Sequence, residues 1–455
     1  MENRHGVQKT LRQHWLMAPP SDMSGSVHHI AVVGAGPSGL FTVAEISRRA
    51  PSFLIDVYDR DPTPFGLLRH GVAPDHLKIK SLAGSFEKTL RLPNVQFFGN
   101  ILVGDRIQFE ELLDAYDAVI VATGAGTTKV LSVDGIDLAI PASDVVHWYN
   151  GHPDGPAVAP LDLPVTHATI IGGGNVALDV GRILLKGSEG LAHTDMTATA
   201  LSALSGGAQN VTLLIRGGIA QAKFTLAELL EFDNLDGVAP VVDGDDIRIS
   251  SEEEALIAAS PHLKQTVDVL TNWASRPRCR HPRRVHFRFY STPQRVVGRY
   301  REVEAIDVLR TDGQAGYRLN THAVISAAGY RTRGLAGVPF DEVANHVPNE
   351  ASRVTGLPRV YVVGWAKRGP RGVIGTNKAC ARNTVDALFK DIEMGLVVPR
   401  TLCRRPFRDT SSLGAVTAEA WSRIDQHEIA TGRAQGRARA KIGSRRDLLE
   451  IAGVL

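Results

Sequence analysis

Cysteine is scarce in this chain, and its scarcity excludes two kinds of protein. The sequence contains only Cys279, Cys380 and Cys403, and no two of them form a CxxC pair. Three widely spaced cysteines do not make the disulfide framework of a small secreted protein. They also do not provide the paired thiols of a redox-active dithiol. Neither class of protein is therefore expected.

Long apolar runs and a strong excess of one charge are also absent. No run approaches the roughly 20 apolar residues that a membrane helix needs, and the formal net charge is only +3. So small a charge gives no reason to expect nucleic-acid binding. Residues 1–28 have no apolar signal core, and we interpret them as the disordered tail of a cytoplasmic protein. The remaining composition is ordinary for a globular protein of 455 residues, which suggests two or three domains.

A glycine fingerprint near the start of the chain predicts a dinucleotide site. In HHIAVVGAGPSGLFTVAEI, the residues Gly34, Gly36 and Gly39 lie between an apolar strand and a helix. The first glycine of such a motif makes the turn, the second lets backbone approach a pyrophosphate, and the third lets helix and strand pack closely. Asp59 ends the next predicted strand, 20 residues after Gly39, where an acid accepts hydrogen bonds from an adenosine ribose. We expect this site to bind FAD.

A second fingerprint lies about 138 residues further along the chain. The segment ATIIGGGNVALDVGRILL contains Gly172, Gly174 and Ala177, again between an apolar strand and a helix. The next predicted strand ends in Arg216, which suits a 2′-phosphate, so we expect this site to bind NADP. The plainer alternative is a solvated arginine at a strand end. Two dinucleotides on one chain indicate hydride transfer between them, and hence a flavin–nicotinamide oxidoreductase.

Periodicity and composition place the other elements. We predict strands over 29–34, 53–59, 116–125, 168–172, 211–216 and 322–330, helices over 37–49 and 175–186, and a helical insertion over 241–265. This order predicts an α/β fold with two Rossmann-like dinucleotide-binding domains, as in two-dinucleotide flavoproteins of the glutathione reductase type. The predicted parts are a tail over 1–28, a first FAD-domain segment over 29–126, an NAD(P)-binding domain over 127–329 and a second FAD-domain segment with C-terminal helices over 330–455.

Four segments give a more specific signal than a glycine fingerprint. They are PFGLLRHGVAPDHLKIK (64–80), WYNG (148–151), GNVALDVGRILL (174–185) and GWAKRGPRGVIGTNK (364–378). The chain resembles, through these segments, the adrenodoxin reductase-like ferredoxin–NADP reductases. The resemblance implies an FAD domain made of two chain segments, with the NADP domain inserted in the FAD domain. It also implies that a hydride passes from NADPH to flavin N5. It further implies that single electrons then pass to a ferredoxin-type iron–sulfur protein serving a cytochrome P450 or another iron enzyme.

The resemblance also implies the residues that contact each cofactor. With the first fingerprint included, the FAD set is Gly34, Gly36, Ser38, Gly39, Asp59, Leu67, Val103, Trp365, Gly372, Val373 and Ile374. With the second included, the NADP set is Gly172, Gly174, Asn175, Val176, Arg216, Glu228 and Gly372. A helix expected from about residue 375 would turn its positive end toward the flavin, where reduction adds negative charge.

Three residues are candidates for active roles. His76, in the APDH stretch, and Glu231, just past the NADP arm, are expected to tune proton balance and nicotinamide position. Trp365 is expected to cover the flavin and to order the nicotinamide. The plainer alternative for each is a structural role, which for Trp365 means a core aromatic side chain.

Two departures from the family pattern bear on the partners. Relatives usually place two adjacent arginines on the NADP phosphate arm, whereas this chain has Arg216–Gly217. One lost phosphate contact costs on the order of 1.5–3 kcal/mol, so we expect NADPH as the donor and leave NADH use open. The docking surface differs as well, because 260–264 reads SPHLK and Leu230 stands where relatives commonly have arginine.

A basic run offers a replacement docking surface for the iron–sulfur partner. The segment RPRCRHPRR provides five candidates, Arg276, Arg278, Arg280, Arg283 and Arg284. The plainer interpretation of such a run is a solvated face.

Two rival functions remain open at this point. One is a diverged FAD/NAD(P)H oxidoreductase that acts on a small molecule in a specialised pathway. The other is a flavin-binding interaction protein without turnover, although the intact nicotinamide fingerprint argues against it.

Overall fold

The structure is a computed structural model that describes residues 27–276, 281–300, 302–399 and 413–455. Two large β-sheets organise the chain, with two smaller sheets beside them. Among the residues described, no helix combines the length and the apolar character that crossing a bilayer requires.

The secondary structure alternates between strands and helices along most of the chain. The strands are β1 (His29–Val33), β2 (Leu54–Tyr58), β3 (Val95–Phe98), β4 (Ala118–Val121), β5 (Thr127–Thr128), β6 (Ile140–Pro141), β7 (Val165–Ile171), β8 (Ala208–Leu214), β9 (Val238–Val242), β10 (Arg283–Arg288), β11 (Ser291–Arg299), β12 (Glu302–Arg310), β13 (Tyr317–Asn320), β14 (Ala323–Ser326), β15 (Tyr330–Arg331), β16 (Asn349–Glu350), β17 (Arg353–Val354) and β18 (Val360–Val362). The helices are α1 (Pro37–Arg49), α2 (Leu67–His70), α3 (Leu77–Lys80), α4 (Ala83–Leu90), α5 (Phe109–Ala115), α6 (Ala142–Asn150), α7 (Asn175–Leu191), α8 (Ala198–Ala203), α9 (Leu226–Leu230), α10 (Ser251–Ala259), α11 (Pro261–Ser275), α12 (Trp365–Arg368), α13 (Ile374–Glu393), α14 (Ala418–Ala434) and α15 (Arg445–Ala452).

The first large sheet joins the N-terminal and C-terminal parts of the chain. Its strand order is β16–β17–β18–β4–β1–β2–β3, and the strands from β18 to β3 run parallel. The apolar strands β1 and β4 are buried along their whole length, as is typical of parallel strands covered on both faces. Helices α1 and α13 pack against each other over this sheet, so the C-terminal part completes the fold that the N-terminal part begins.

The second large sheet is built from the intervening part of the chain. Its strand order is β6–β14–β7–β8–β10–β9, and all of these strands run parallel. An antiparallel sheet of β11, β12 and β13 packs beside it. The ribbon of β5 and β15 lies where the chain passes between the two large sheets. The predicted fold class, two Rossmann-like units with the second inserted in the first, is confirmed.

Several element boundaries differ from the sequence prediction. The strand predicted over 211–216 ends at Leu214, because its pairing with both neighbouring strands ends there. Arg216 therefore lies in the following turn and does not end the strand. The insertion predicted as helical over 241–265 begins as β9, and its helices α10 and α11 instead fill Ser251–Ser275.

The predicted tail over 1–28 lies almost entirely outside the described residues. Its last residue, His28, is buried, with its ring centroid 4.8 Å from that of Phe53. The His28 Nδ1 atom lies 3.5 Å from the Asp117 carboxylate. The prediction is therefore wrong for His28, which belongs to the fold and not to a tail.

Candidate cofactor and active site

The two glycine turns open into one large cleft. They follow β1 and β7, at the carboxyl ends of parallel strands, where open α/β sheets bind their ligands. The cleft has a volume of about 2590 Å³. Sites for a single small molecule typically enclose about 300–1,000 Å³, so this cleft is large enough for two dinucleotides side by side.

The first glycine turn leaves a bare backbone edge at the cleft. Gly34 has φ of +115°, and a Cβ atom there would meet the Ala122 carbonyl oxygen at 2.4 Å. A Cβ atom on Gly39 would lie 2.0 Å from the Gly34 carbonyl oxygen, so this glycine lets the helix pack closely on the turn. Gly36 lines the cleft, and a Cβ atom there would have only the Cα of Gly66 within reach, at 4.0 Å. The space beside Gly36 is therefore free for a pyrophosphate at the N-terminus of α1.

Asp59 links the end of β2 to this turn. Its Oδ2 accepts a hydrogen bond from the Ala35 N–H at 2.6 Å, and its Oδ1 accepts one from the Asp61 N–H at 2.9 Å. Burial, and then the charge of Asp61, raise the pKa of Asp59 to about 7. A carboxylate has about four acceptor positions, so two remain for ribose hydroxyls at the cleft surface.

The second glycine turn repeats this arrangement. Gly172 has φ of +148°, and a Cβ atom there would meet the Ala327 carbonyl oxygen at 2.5 Å. A Cβ atom on Gly174 would meet nothing within 4 Å, so the backbone is open to the cleft at the start of α7. The Asn175 side chain is held by the Thr225 N–H, which donates to its Oδ1 at 2.9 Å.

The turn that follows β8, where the sequence predicts the NADP phosphate to bind, carries the exposed side chain of Arg216 at the cleft. Arg216 lines the cleft and forms no ion pair with the residues described. At Gly217 a Cβ atom would lie 2.5 Å from Gln221 Oε1 and 2.9 Å from Gln221 Cβ. The space that a second arginine would need is therefore taken by Gln221.

The loop between α12 and α13 forms another wall of the cleft. The Trp365 indole N–H donates to the Arg371 carbonyl at 3.1 Å, and the Trp365 ring lies 6.0 Å from that of Tyr330. Gly372 has φ of +85°, which lets the chain turn into α13. The N-cap residue Val373 supplies no side-chain oxygen, so the first amides of α13 are open to a ligand.

His76 lies in a cluster of charges that joins the two units. Its Nε2 is 3.0 Å from Asp179 Oδ1 and 3.1 Å from Glu228 Oε2. The guanidinium of Arg182, which has no exposed surface, contacts the same two carboxylates at 2.8 and 3.3 Å. It also donates from Nε to Asp75 Oδ2 at 2.9 Å. Segment 75–76 is thus bound to α7 and α9 through charged hydrogen bonds.

The cluster fixes the charge of His76. Burial by itself would lower the pKa of this imidazole, but hydrogen bonds with Asp179 and Glu228 outweigh burial and raise the pKa to about 9. Burial opposes ionisation of Asp75 as well, yet the Arg182 guanidinium holds the pKa of Asp75 well below its usual range. The raised pKa favours the imidazolium form of His76 at the edge of the cleft, although Arg182 Nη2 also lies 2.7 Å from its Nε2 atom and opposes this charge.

Known proteins share both the sequence and the shape of this chain. A family model described as pyridine nucleotide-disulphide oxidoreductase matches residues 28–372. The NADPH-ferredoxin reductase FprA of Mycobacterium tuberculosis is 41% identical, over 93% of this chain and 99% of its own length. The mitochondrial NADPH:adrenodoxin oxidoreductase of Bos taurus is 33% identical, over 93% of this chain and 92% of its own length. The chain belongs to the adrenodoxin reductase-like family of ferredoxin–NADP reductases.

A solved member of this reductase family has the same fold throughout. The structure of Mycobacterium tuberculosis FprA in complex with NADPH aligns with a TM-score of 0.87 and 41% sequence identity. The alignment covers 94% of this chain and 99% of that one.

Most of the residues predicted as contacts line the cleft. Those that do are Gly34, Gly36, Ser38, Asp59, Leu67, Val103, Gly172, Gly174, Asn175, Val176, Arg216, Glu228, Trp365, Gly372, Val373 and Ile374. His76, predicted as an active residue, lines the cleft as well. Gly39 does not line it and serves the packing of α1 on the turn. The individual cofactor contacts remain predictions.

Glu231 is placed differently from the expectation. It lies at the end of α9 and does not line the cleft, whereas Glu228, one helical turn earlier, does. Glu231 is the C-cap residue of α9 and the first residue of the 3₁₀ turn that follows. The structure brings Glu228, and not Glu231, to His76. An active role for Glu231 stays a prediction without support from this placement.

Sequence reasoning missed the partners of His76. Asp179 and Arg182 stand three apart in GNVALDVGRILL, a spacing that places both on one face of α7. Asp75 precedes His76 in the APDH stretch. The spacing of Asp179 and Arg182 was a signal for a charged pair, but it did not indicate that the pair meets a segment about a hundred residues away.

The basic run predicted as a docking surface is partly engaged within the protein. Arg276 is bonded to Asp233 at 2.7 Å, and Arg283 donates to the Leu185 carbonyl at 2.6 Å. Arg284 is exposed and forms no ion pair with the residues described. The two remaining candidates, Arg278 and Arg280, lie outside the described residues.

Proposed function

We propose that this protein is an FAD-dependent reductase that oxidises NADPH and passes electrons singly to a ferredoxin-type iron–sulfur protein. The observation that supports this most is the joint opening of both glycine turns into one cleft beside the N-terminus of α13. The reductases named above, with 41% and 33% identity over nearly the whole chain, are NADPH-dependent enzymes by name.

The residues of the cleft fit both cofactors. Gly36 and Gly174 leave open space where a pyrophosphate meets a helix N-terminus. Asp59 keeps acceptor positions for ribose hydroxyls, and Arg216 offers a free cation for a 2′-phosphate. FAD, when bound, supplies the hydride and one-electron chemistry that no side chain of this protein provides.

The protein itself contributes placement and electrostatics. The amide end of α13 carries a partial positive charge that stabilises negative charge in the adjoining part of the cleft. The His76 imidazolium adds a full positive charge whose position is fixed by two carboxylates. The Trp365 ring, whose indole N–H donates to the Arg371 carbonyl, forms part of the cleft wall.

Turnover with a ferredoxin separates this function from a reductase of small molecules. The holo-protein is given NADPH and cytochrome c, with and without a bacterial ferredoxin. The proposal predicts that the ferredoxin raises cytochrome c reduction many-fold. Reduction that stays unchanged when ferredoxin is added would favour the small-molecule alternative.

We also propose that the iron–sulfur partner docks beside the basic run over 276–284, through residues such as Arg284. Support comes from the exposure of Arg284, since exposed complementary charges steer association. The Arg284→Glu variant is expected to raise the KM for ferredoxin several-fold. Arg446→Glu, a charge reversal on the distant α15, is the matched control and should leave that KM unchanged. Equal effects of the two variants would contradict this docking position.

The preference for NADPH over NADH is expected to depend on the residue at position 217, which is glycine in this chain. We expect Gly217→Arg to raise the preference for NADPH over NADH by about tenfold, because a charge-assisted phosphate contact is worth about 1.5–3 kcal/mol. Since Gln221 fills the space beside Gly217, the change is best made together with Gln221→Ala. Gln221→Ala alone is the control. The measurement is the ratio of kcat/KM for the two coenzymes, and an unchanged ratio in the double variant would mean that the 2′-phosphate lies elsewhere.

Flavin affinity is expected to depend on pH through Asp59. The pKa of Asp59 is raised to about 7, and ribose hydroxyls bind its ionised form, so a proton must leave before FAD binds. The affinity of the deflavinated protein for FAD should therefore fall by about tenfold for each pH unit below 7. Burial lowers the pKa of both His147 and His152 to about 4, helped by the neighbouring His152 ring for the former and by the Arg60 charge for the latter, so both imidazoles stay neutral between pH 5.5 and 7.5.

Titration of the deflavinated protein with FAD at several pH values measures this dependence. Asp59→Asn, which has no proton to lose, is the control and should bind FAD with the same affinity across the range. A wild-type affinity that does not change between about pH 5.5 and 7.5 would show that Asp59 is ionised before FAD arrives.

A further inference from the structure

Lys223 is a cation of the cleft with no role assigned so far. It is exposed, lines the cleft, and forms no ion pair with any residue that the structure describes. Lys78 and Lys129 also line the cleft without an ion pair among the described residues, but Lys223 differs from them because its backbone is hydrogen-bonded to the second glycine turn. An unpaired ammonium group at a nucleotide site is available to an anionic ligand.

Backbone hydrogen bonds fix the position of Lys223 relative to the second glycine turn. Its N–H donates to the Gly173 carbonyl at 2.9 Å, which ties residue 223 to the middle of the second glycine turn. Two residues later, the Thr225 N–H donates to the Asn175 side chain at the start of α7. The segment from Arg216 to Glu228 therefore runs along the turn, with Arg216 at one end and Glu228, beside His76, at the other.

The group opposite the middle of such a turn is the pyrophosphate. A glycine turn admits the pyrophosphate to its backbone and to the N-terminus of the following helix. Arg216 follows β8, where the adenosine end of the nucleotide is recognised. Lys223 lies between that end and Glu228, and so is placed for the phosphates that connect the two halves of the nucleotide.

We infer that Lys223 binds the pyrophosphate of the nicotinamide nucleotide. This inference rests on the proposed function, since it assigns a contact within the same site. The Lys223 ammonium group supplies a positive charge that is missing at position 217, where the residue is glycine. Because NADPH and NADH both contain the pyrophosphate, this charge raises the affinity for both coenzymes equally. Lys223 therefore strengthens binding without choosing between the coenzymes, whereas Arg216 makes the choice.

Binding of NADP⁺ and NAD⁺ to the holo-protein, measured by calorimetry, tests this assignment. Lys223→Ala should weaken both nucleotides by the same factor, about tenfold, and Lys223→Arg should restore most of the affinity. The salt dependence of both affinities should be shallower in Lys223→Ala than in wild type, because one charge contact has been lost. Lys264→Ala removes an equally exposed lysine from α11, outside the cleft, and should change neither affinity.

Two results would overturn the inference. Unchanged affinities in Lys223→Ala would show that the ammonium group does not touch the nucleotide. A loss confined to NADP⁺ would place Lys223 at the 2′-phosphate instead. A failure of the proposed function is distinguishable from either result. If the protein used no nicotinamide nucleotide, wild type would bind neither nucleotide before any variant is compared, and if it reduced a small molecule instead of a ferredoxin, both wild-type affinities would remain while ferredoxin-dependent turnover would be absent.

Discussion

The Asp59→Ala variant is expected to be purified with little or no FAD. In the wild-type protein the Asp59 carboxylate accepts hydrogen bonds from the Ala35 and Asp61 N–H groups, and it has acceptor positions left for the adenosine ribose. Alanine removes the ribose contacts and also leaves the N–H of Ala35, within the glycine turn, without its partner. Two charge-assisted hydrogen bonds are worth about 3 kcal/mol or more together, which corresponds to at least about a hundredfold loss of affinity.

The ratio of flavin to protein after purification, followed by titration with FAD, measures this loss. Asp59→Asn is the matched control, because its amide oxygen can still accept from the Ala35 N–H while the negative charge is gone. We expect its affinity to lie between those of wild type and Asp59→Ala. A wild-type flavin content in Asp59→Ala would show that the flavin ribose is not recognised at the end of β2.

The Arg182→Met variant is expected to lose about 3–5 kcal/mol of unfolding free energy. Arg182 has no exposed surface and bonds to three carboxylates, those of Asp75, Asp179 and Glu228. Methionine fills similar space but leaves these acids in a buried site where, among the residues described, His76 and Lys186 are the cations that remain paired with them. The large cost reflects the unpaired buried charge that remains, and not the strength of a single ion pair.

Chemical denaturation of the holo-protein, with FAD in excess, measures this change. Arg446→Met provides the control, because Arg446 and Glu450 form an exposed pair on α15, with 80% and 50% of their side-chain surfaces exposed. Such a pair is worth about 0–1 kcal/mol. If the two variants lost similar amounts of unfolding free energy, the buried cluster would not hold the two units together as described.

Local signals made the two nucleotide turns predictable. Each fingerprint combines an apolar strand, glycines and a helix start within about twenty residues, and the first glycine of each turn has a positive φ and a close backbone neighbour that exclude a side chain. Helix α1 has its predicted bounds because a proline opens it and the apolar strand ends just before it. The same reasoning placed Arg216 correctly in the cleft, although the strand ends two residues earlier.

Contacts between distant segments were beyond sequence reasoning. His76 and Asp179 are 103 residues apart, and no local pattern states that they meet. A buried pair between Arg69 and Glu428 joins segments 359 residues apart and ties α14 to the stretch that leads to His76. Glu231 was preferred over Glu228 as an active residue because spacing alone does not show where α9 ends.

The measurement that tests the central claim most directly is an anaerobic stopped-flow comparison of NADPH and NADH. The holo-protein is mixed with each coenzyme, and bleaching of the bound-flavin absorption band is followed. We predict rapid bleaching by NADPH and slower bleaching by NADH, because both turns open into one cleft and Arg216 is free for a 2′-phosphate. Equal rates would mean that Arg216 does not select the phosphate, and the absence of bleaching by either coenzyme would contradict hydride transfer in this cleft.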